Sequence, residues 1–183
     1  MQIRSLLRPT LTALTLALLI GKATAADAVV LTTNFSDHAG LGYGVGTTST
    51  IVQNDIRLQC VQAMYEVTFF PEVNLKDFGC SGLARIIQLD VQTSPNFNFK
   101  EFSIRDLLPN ALTVTSDKGG SYVVPAGFQT YTFSGPQWEG LTWVRFTGTG
   151  TCYEAKFTSF SLEPVEVVPT EASTWSGVKR LFQ

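Results

Sequence analysis

The chain has 183 residues, of which 44% are hydrophobic, 11% aromatic and only 15% charged, with a net charge of −2. That is one domain's worth of sequence, too apolar for a disordered chain and too weakly basic to bind nucleic acid by counterion release. A single histidine and three cysteines exclude a histidine-rich or multi-finger zinc protein.

Met1 to Ala25 reads as a secretory signal peptide. Arg4 and Arg8 form a positive start, Leu11 to Ile20 an apolar stretch, and Ala23-Thr24-Ala25 a small-residue cleavage site. The apolar stretch is too short to span about 30 Å of hydrocarbon. Cleavage near Ala25 removes Arg4, Arg8 and Lys22 but no acid, which moves the net charge from −2 to −5. No later stretch has the length and apolarity of a membrane span, so the expectation is a secreted or cell-surface protein with no transmembrane segment.

Export permits disulfides. Cys60, Cys80 and Cys152 are odd in number, so one thiol is left over. Cys60 and Cys80 flank Pro71 to Gly82, a segment rich in turn formers, and are the favoured pair. Closing their loop of about 20 residues would contribute roughly 3 kcal/mol in the chain-entropy model. Cys152, early in a strand-like run, is the alternative partner for either. A nucleophilic cysteine is disfavoured, because its usual base is a histidine and His38 sits in a glycine-rich loop.

Nearly every periodic segment has period two. The predicted strands are Ala28–Thr33, Thr48–Gln62 (two strands meeting at Asn54-Asp55), Met64–Phe70, Ala84–Gln92, Phe97–Ile104, Leu112–Thr115, Tyr122–Phe133, Leu141–Thr147 and Tyr153–Leu162. In Ala84–Gln92 the alternation puts Ile87, Leu89 and Val91 on a buried face and Ile86, Gln88 and Asp90 on the other. Ser116 to Ser121, with Gly119-Gly120, reads as a hairpin turn. About eight to ten short strands separated by turn signals imply an all-β, two-sheet β-sandwich over residues 26–163, its core supplied largely by phenylalanine.

The run over residues 84–163 resembles jelly-roll-like sandwich domains of secreted bacterial and fungal proteins. The resemblance is carried by Phe97-Asn98-Phe99-Lys100-Glu101-Phe102, Leu112 to Thr115 with Gly119-Gly120, Thr130-Tyr131-Thr132-Phe133-Ser134-Gly135, Val144-Arg145-Phe146-Thr147 and Phe157-Thr158-Ser159-Phe160-Ser161-Leu162. It implies a sandwich of jelly-roll type. Many such domains carry an aspartate just before the final aromatic. Here Thr158 and Ser159 precede Phe160, so the calcium or ligand role of that acid is not carried over.

Residues 164–183 read as a linker, Pro164 to Pro169, followed by a short amphipathic C-terminal helix. Ser173 or Thr174 supplies an N-cap, while Trp175, Val178, Leu181 and Phe182 form an apolar face. Lys179 and Arg180 suit the helix's C-terminal dipole. The tail is similar to a P-T-x-x-S-T-W-G-x-V-K-x-L-Y form at the ends of exported bacterial proteins. A peptide of about ten residues needs a surface to dock on. Its own sandwich or a sorting or anchoring machinery would serve, with Trp175, Val178, Lys179, Leu181 and Phe182 as the recognised residues.

The candidate sites are few. Gly40 to Gly46 has glycine at alternate positions and no following lysine, so it reads as a surface loop rather than a phosphate loop. Asn34-Phe35-Ser36 is a glycosylation sequon of weak specificity. Ser36-Asp37-His38 tempts a triad reading, but triad partners meet through the fold rather than along the chain. Asp37, Asp55, Asp77, Asp90, Asp106 and Asp117 are scattered, and folding would have to gather several to hold a structural calcium; no other cofactor is expected. Tyr43 and Trp138 are the candidate ligand-binding aromatics, with Trp143 as a strand residue of more buried character. Trp138, in the turn-rich Gly135 to Gly140, is expected to be exposed.

The functional expectation is a non-enzymatic carbohydrate- or matrix-binding module, its partner a polysaccharide or cell-surface ligand. The alternatives are a surface envelope protein addressed by its tail and a small secreted hydrolase built on His38.

Overall fold

The computed structural model describes residues 29–38, 42–43, 50–62, 67–69, 72–77, 80–107 and 112–165. The expected signal peptide, the C-terminal helix and the tail residues Trp175, Val178, Lys179, Leu181 and Phe182 lie outside the described residues. The described strands are β1 (Leu31–Thr33), β2 (Gly42–Tyr43), β3 (Thr50–Gln53), β4 (Ile56–Gln62), β5 (Val67–Phe69), β6 (Val73–Lys76), β7 (Arg85–Val91), β8 (Phe97–Leu107), β9 (Leu112–Ser116), β10 (Ser121–Val124), β11 (Gln129–Thr132), β12 (Val144–Gly148) and β13 (Glu154–Pro164). Single 3-10 turns at Ser36–His38 and Pro136–Trp138 are the helical elements among the described residues. None of these is long and apolar enough to cross a membrane.

The strands form two antiparallel sheets, as the period-two patterning requires. Sheet A has the order β11-β8-β13-β6-β5-β2, with β1 added against β13. Sheet B has the order β10-β9-β12-β7-β4-β3. From β6 onward the chain crosses between sheets at every step except the β9–β10 hairpin, so sequence-distant strands become neighbours. β13 pairs with β8 from Ala155 to Pro164 on one side. On its other side it pairs with β6 over Glu154–Phe157 and with β1 over Phe160–Leu162.

Local chemistry sets the turns. Asn54 and Asp55 both have positive φ, 52° and 64°, the type I′ geometry that matches the twist of the β3–β4 hairpin. Asn54 also donates through Nδ2 to the Thr32 carbonyl, 2.9 Å away, which ties the hairpin to the start of sheet A.

The core lies between the sheets and is built on aromatic rings. Phe102 meets Phe146 edge-on at 5.1 Å, Phe146 meets Phe157 at 5.1 Å, and Phe157 lies 5.2 Å from Phe160. The first two pairs are edge-to-face and contribute beyond their buried area. Two register irregularities make this cluster possible. Phe99 and Phe102 are three apart on β8, and Phe157 and Phe160 are three apart on β13, so strict alternation would send one of each pair outward. The pairing skips Lys100 on β8 and Thr158 on β13. Each skip is a bulge that returns the next phenylalanine to the core. All four rings are buried.

Trp138 is a correction. It is only 5% exposed, with its ring 4.6 Å from Phe133 and 6.1 Å from Phe99. The turn-rich segment around it is stitched to the β9–β10 hairpin rather than left in solvent. Ser116 Oγ donates to the Gln137 carbonyl at 2.6 Å and accepts the Gly120 N–H at 3.0 Å. Lys118 Nζ donates to the Glu139 carbonyl at 2.7 Å. Asp117 accepts from both Thr142 N–H and Thr142 Oγ1. A Cβ at Gly120 would stand 3.0 Å from the Trp138 ring and 2.8 Å from Ser116 Oγ, so glycine there makes room for the indole. Turn composition alone does not report such stitching.

The cysteine pairing is a second correction. Cys80 and Cys152 are bonded, joining residues 72 apart in sequence, and Cys60 is the free thiol. Cys60 lies within β4 rather than in a loop. It alternates with Ile56 and Leu58 on the inward face of β4 and is buried in the core. Cys80 and Cys152 both sit in exposed loops with positive φ, 46° and 58°. The disulfide is compatible with an extracellular setting.

Candidate functional site

The outward face of sheet B carries an organised row of polar side chains. On β12, Val144, Phe146 and Gly148 point into the core, which leaves Arg145 and Thr147 outward. On β7 the inward Ile87 and Leu89 leave Gln88 outward, and on β4 the inward Leu58 and Cys60 leave Gln59 outward. Register then aligns these positions. Ser121 faces Thr115, Thr115 faces Arg145, Arg145 faces Gln88, Gln88 faces Gln59, and Gln59 faces Thr50. A polar row therefore crosses all six strands of the sheet.

Hydrogen bonds fix the centre of this row. Arg145 Nε donates to Gln88 Oε1 at 2.9 Å, and Gln88 Nε2 donates to Gln59 Oε1 at 3.4 Å. Trp143, two residues before Arg145 and on the same face, stacks beneath its guanidinium at 4.2 Å from the ring centroid. In the neighbouring row Arg57 Nε donates to Asp90 Oδ1 at 2.7 Å. That bond holds the Arg57 guanidinium above its ordinary pKa. The exposed Val52 and Val123 flank the polar rows, because Val52 faces Arg57 and Val123 faces Thr113. The face thus combines amides, hydroxyls, a stacked cation, a half-buried indole and small apolar patches, with its central side chains already oriented.

Arg145, Gln88 and Gln59 were not singled out by sequence reasoning. The alternation in β7 did place Gln88 on the non-core face, which was the available signal. Strand order and register, which line it up with Arg145 and Gln59, are not written in any local pattern. Tyr43 lies in β2, facing Val67 of β5, and so is on the other sheet. Its side chain lies outside the described residues.

A second cluster is internal. Arg85 and Asp77 are both fully buried, with Arg85 Nη2 at 2.7 Å from Asp77 Oδ1. Ser81 Oγ donates to Asp77 Oδ1 and accepts from Arg85 Nη2, each at 3.0 Å, and Gly82 N–H donates to Asp77 Oδ2 at 3.1 Å. Arg85 Nη1 donates to the Leu83 carbonyl at 2.9 Å. Burial raises the Tyr153 phenol above its ordinary range, and Asp77 N–H donates to the Tyr153 carbonyl at 2.9 Å. The disulfide Cys80–Cys152 closes the same region. This arrangement holds two loops together and buries its charges away from any ligand.

The remaining candidates have local explanations. His38 Nε2 is 3.0 Å from the Val52 carbonyl and donates to it in the Nε2-protonated tautomer, which commits the ring to the β3 backbone. The aspartates are dispersed: Asp55 bonds Thr93, Asp77 bonds Arg85, Asp90 bonds Arg57 and Asp117 bonds Thr142. Among the described residues no three histidine, cysteine, aspartate or glutamate side chains form a metal-holding group. The Asp106 side chain lies outside the described residues.

Cys60 makes a checkable case. Burial pushes its thiol up to about 11 from an ordinary 9.0. Its contribution to stability is complete below pH 9.0 and is lost as pH rises toward 11, because the unfolded chain ionises first. Iodoacetamide at pH 8 is expected to spare Cys60 in the native protein and to alkylate it once the chain unfolds. Peptide mapping that finds Cys60 modified in the native state would contradict this burial.

No family model matches the chain, and no curated protein or solved structure matches it.

Proposed function

We propose that this is an exported, non-enzymatic β-sandwich protein of jelly-roll type that binds carbohydrate or matrix polymer through the outer face of sheet B. The jelly-roll reading is supported by strand order. The eight strands β6 to β13 divide as β6-β13-β8-β11 in one sheet and β7-β12-β9-β10 in the other. Consecutive strands repeatedly cross between sheets, which is the double Greek-key order of that architecture. The fold does not supply a function; the reading rests on the face.

The observation that carries the binding reading is the row Ser121–Thr115–Arg145–Gln88–Gln59–Thr50 beside Trp143. Planar amides donate and accept side by side and so match the paired hydroxyls of a sugar. An indole offers an apolar surface to the C–H face of a pyranose ring. Because Arg145, Gln88 and Gln59 already hold one another, little ordering entropy is lost when a polymer lies across them. A flat sheet face suits an extended chain better than a small molecule, which needs a concave pocket.

The test is affinity electrophoresis of the full chain against a panel of neutral and acidic polysaccharides. Trp143→Ala and Gln88→Ala should each weaken binding by about tenfold while leaving the unfolding midpoint nearly unchanged. If both variants retain wild-type retardation, this face is not the binding site.

A further inference from the structure

We infer that the polymer bound by this face is an anionic glycan carrying uronate carboxylates, and that Arg145 reads its charge. The inference rests on the sheet-face reading above and narrows it to a substrate class.

The described arginines differ in how they are partnered. Arg57 holds Asp90 at 2.7 Å, Arg85 holds Asp77 at 2.7 Å, and Arg105 holds Glu72 at 2.9 Å. Among the described residues, Arg145 is the arginine with no carboxylate at ion-pair distance. Its contacts are the Gln88 amide oxygen and the Trp143 ring, both uncharged. These two contacts define the plane and the edge of the guanidinium. The Nε edge faces Gln88 and one flat side rests on the indole, so the terminal Nη1/Nη2 fork is the unengaged edge. That fork has the geometry of a planar carboxylate and binds it through two parallel hydrogen bonds.

The surroundings favour this pairing. Across the strands Arg145 faces Thr115 and Gln88, so no acid in the row competes for it. Asp90, the acid on the same face of β7, is already held by Arg57. The indole beneath the guanidinium removes water from one side, which strengthens the ion pair that a ligand would complete. The chain's net charge is −2, so a preference for a polyanion has to come from local cations such as Arg145 rather than from the overall field. A single cation set among amides and hydroxyls fits a polymer with one carboxylate and several hydroxyls per unit. A polyanionic peptide would call for cations in series.

The experiment compares polygalacturonate and alginate with their fully esterified forms, which have the same backbones without the charge. Wild-type protein should bind each acid form about tenfold more tightly than its ester at low salt. Arg145→Gln should collapse the acid-to-ester ratio from about tenfold to about one, whatever it does to the level of ester binding. Arg145→Lys should keep part of the preference, because the charge remains while the fork is lost. Equal wild-type binding to acid and ester would overturn the charge assignment and leave the sheet-face reading standing. Absence of binding to both forms, and to every neutral polysaccharide, would overturn both. Polyglutamate or dextran sulfate bound as tightly as polygalacturonate would overturn the uronate assignment in favour of charge alone.

Discussion

Replacing Asp77 with alanine is expected to destabilise the protein by about 3–5 kcal/mol, because it strands a fully buried arginine. Asp77 does more than neutralise Arg85. It also accepts from Ser81 Oγ and the Gly82 N–H, so the loop loses its internal anchor in the same step. Urea unfolding would read this as a large fall in midpoint with the slope unchanged. The pair itself is a different matter. Desolvating two charges offsets most of their attraction, so Asp77→Leu combined with Arg85→Met should recover much of the loss. If the double variant is as unstable as the sum of the singles, the buried pair is not the source of the effect.

Cys152→Ser carries the second large effect. With the bonded cysteines 72 apart in sequence, the chain-entropy model puts the bridge at about 4 kcal/mol. Wild-type protein treated with a dithiol should fall to the midpoint of the variant, and the variant should not respond to the dithiol. Cys60→Ser should leave the cross-link intact. Loss of the bridge in Cys60→Ser would mean that the pairing is different. The bridge and the ion pair share the segment from Asp77 to Arg85, so combining Asp77→Ala with Cys152→Ser should cost less than the two effects added.

The β content and the inner and outer faces of β7 were readable because a half-buried strand must alternate, and Ile87, Leu89 and Val91 do. The Asn54-Asp55 turn was readable because few residues tolerate two successive positive φ angles. Three things were not. β6 lies inside the segment that its turn formers marked as loop, yet Val73, Asn74 and Leu75 are all buried, so they show no alternation to recognise. Tyr122–Phe133 looked like one extended run but divides into β10 and β11, which belong to different sheets. Trp138 looked exposed because hydrogen bonds with Ser116, Asp117 and Lys118, distant in sequence, decide where its turn lies. The sheet-face site failed to appear for the same reason. Each of its residues is an ordinary outward polar position, and only register makes Arg145, Gln88 and Gln59 neighbours. The disulfide needed the same non-local information.

The position of β13 constrains when the protein becomes protected from proteolysis. β1 has its register partners at Phe160–Leu162, and β6 and β8 also await Glu154–Pro164. Sheet A therefore has no centre until residues 154–164 have emerged from whatever makes or translocates the chain, even though all of its other described strands emerge earlier. Until then β1, β6 and β8 present unpaired edges and the phenylalanine cluster lacks Phe157 and Phe160. Assembly of this kind is vectorial in synthesis but not in folding. A chain stalled before residue 154 should be degraded as an open intermediate, and the folded state should form in one late step once the last of its central strand arrives.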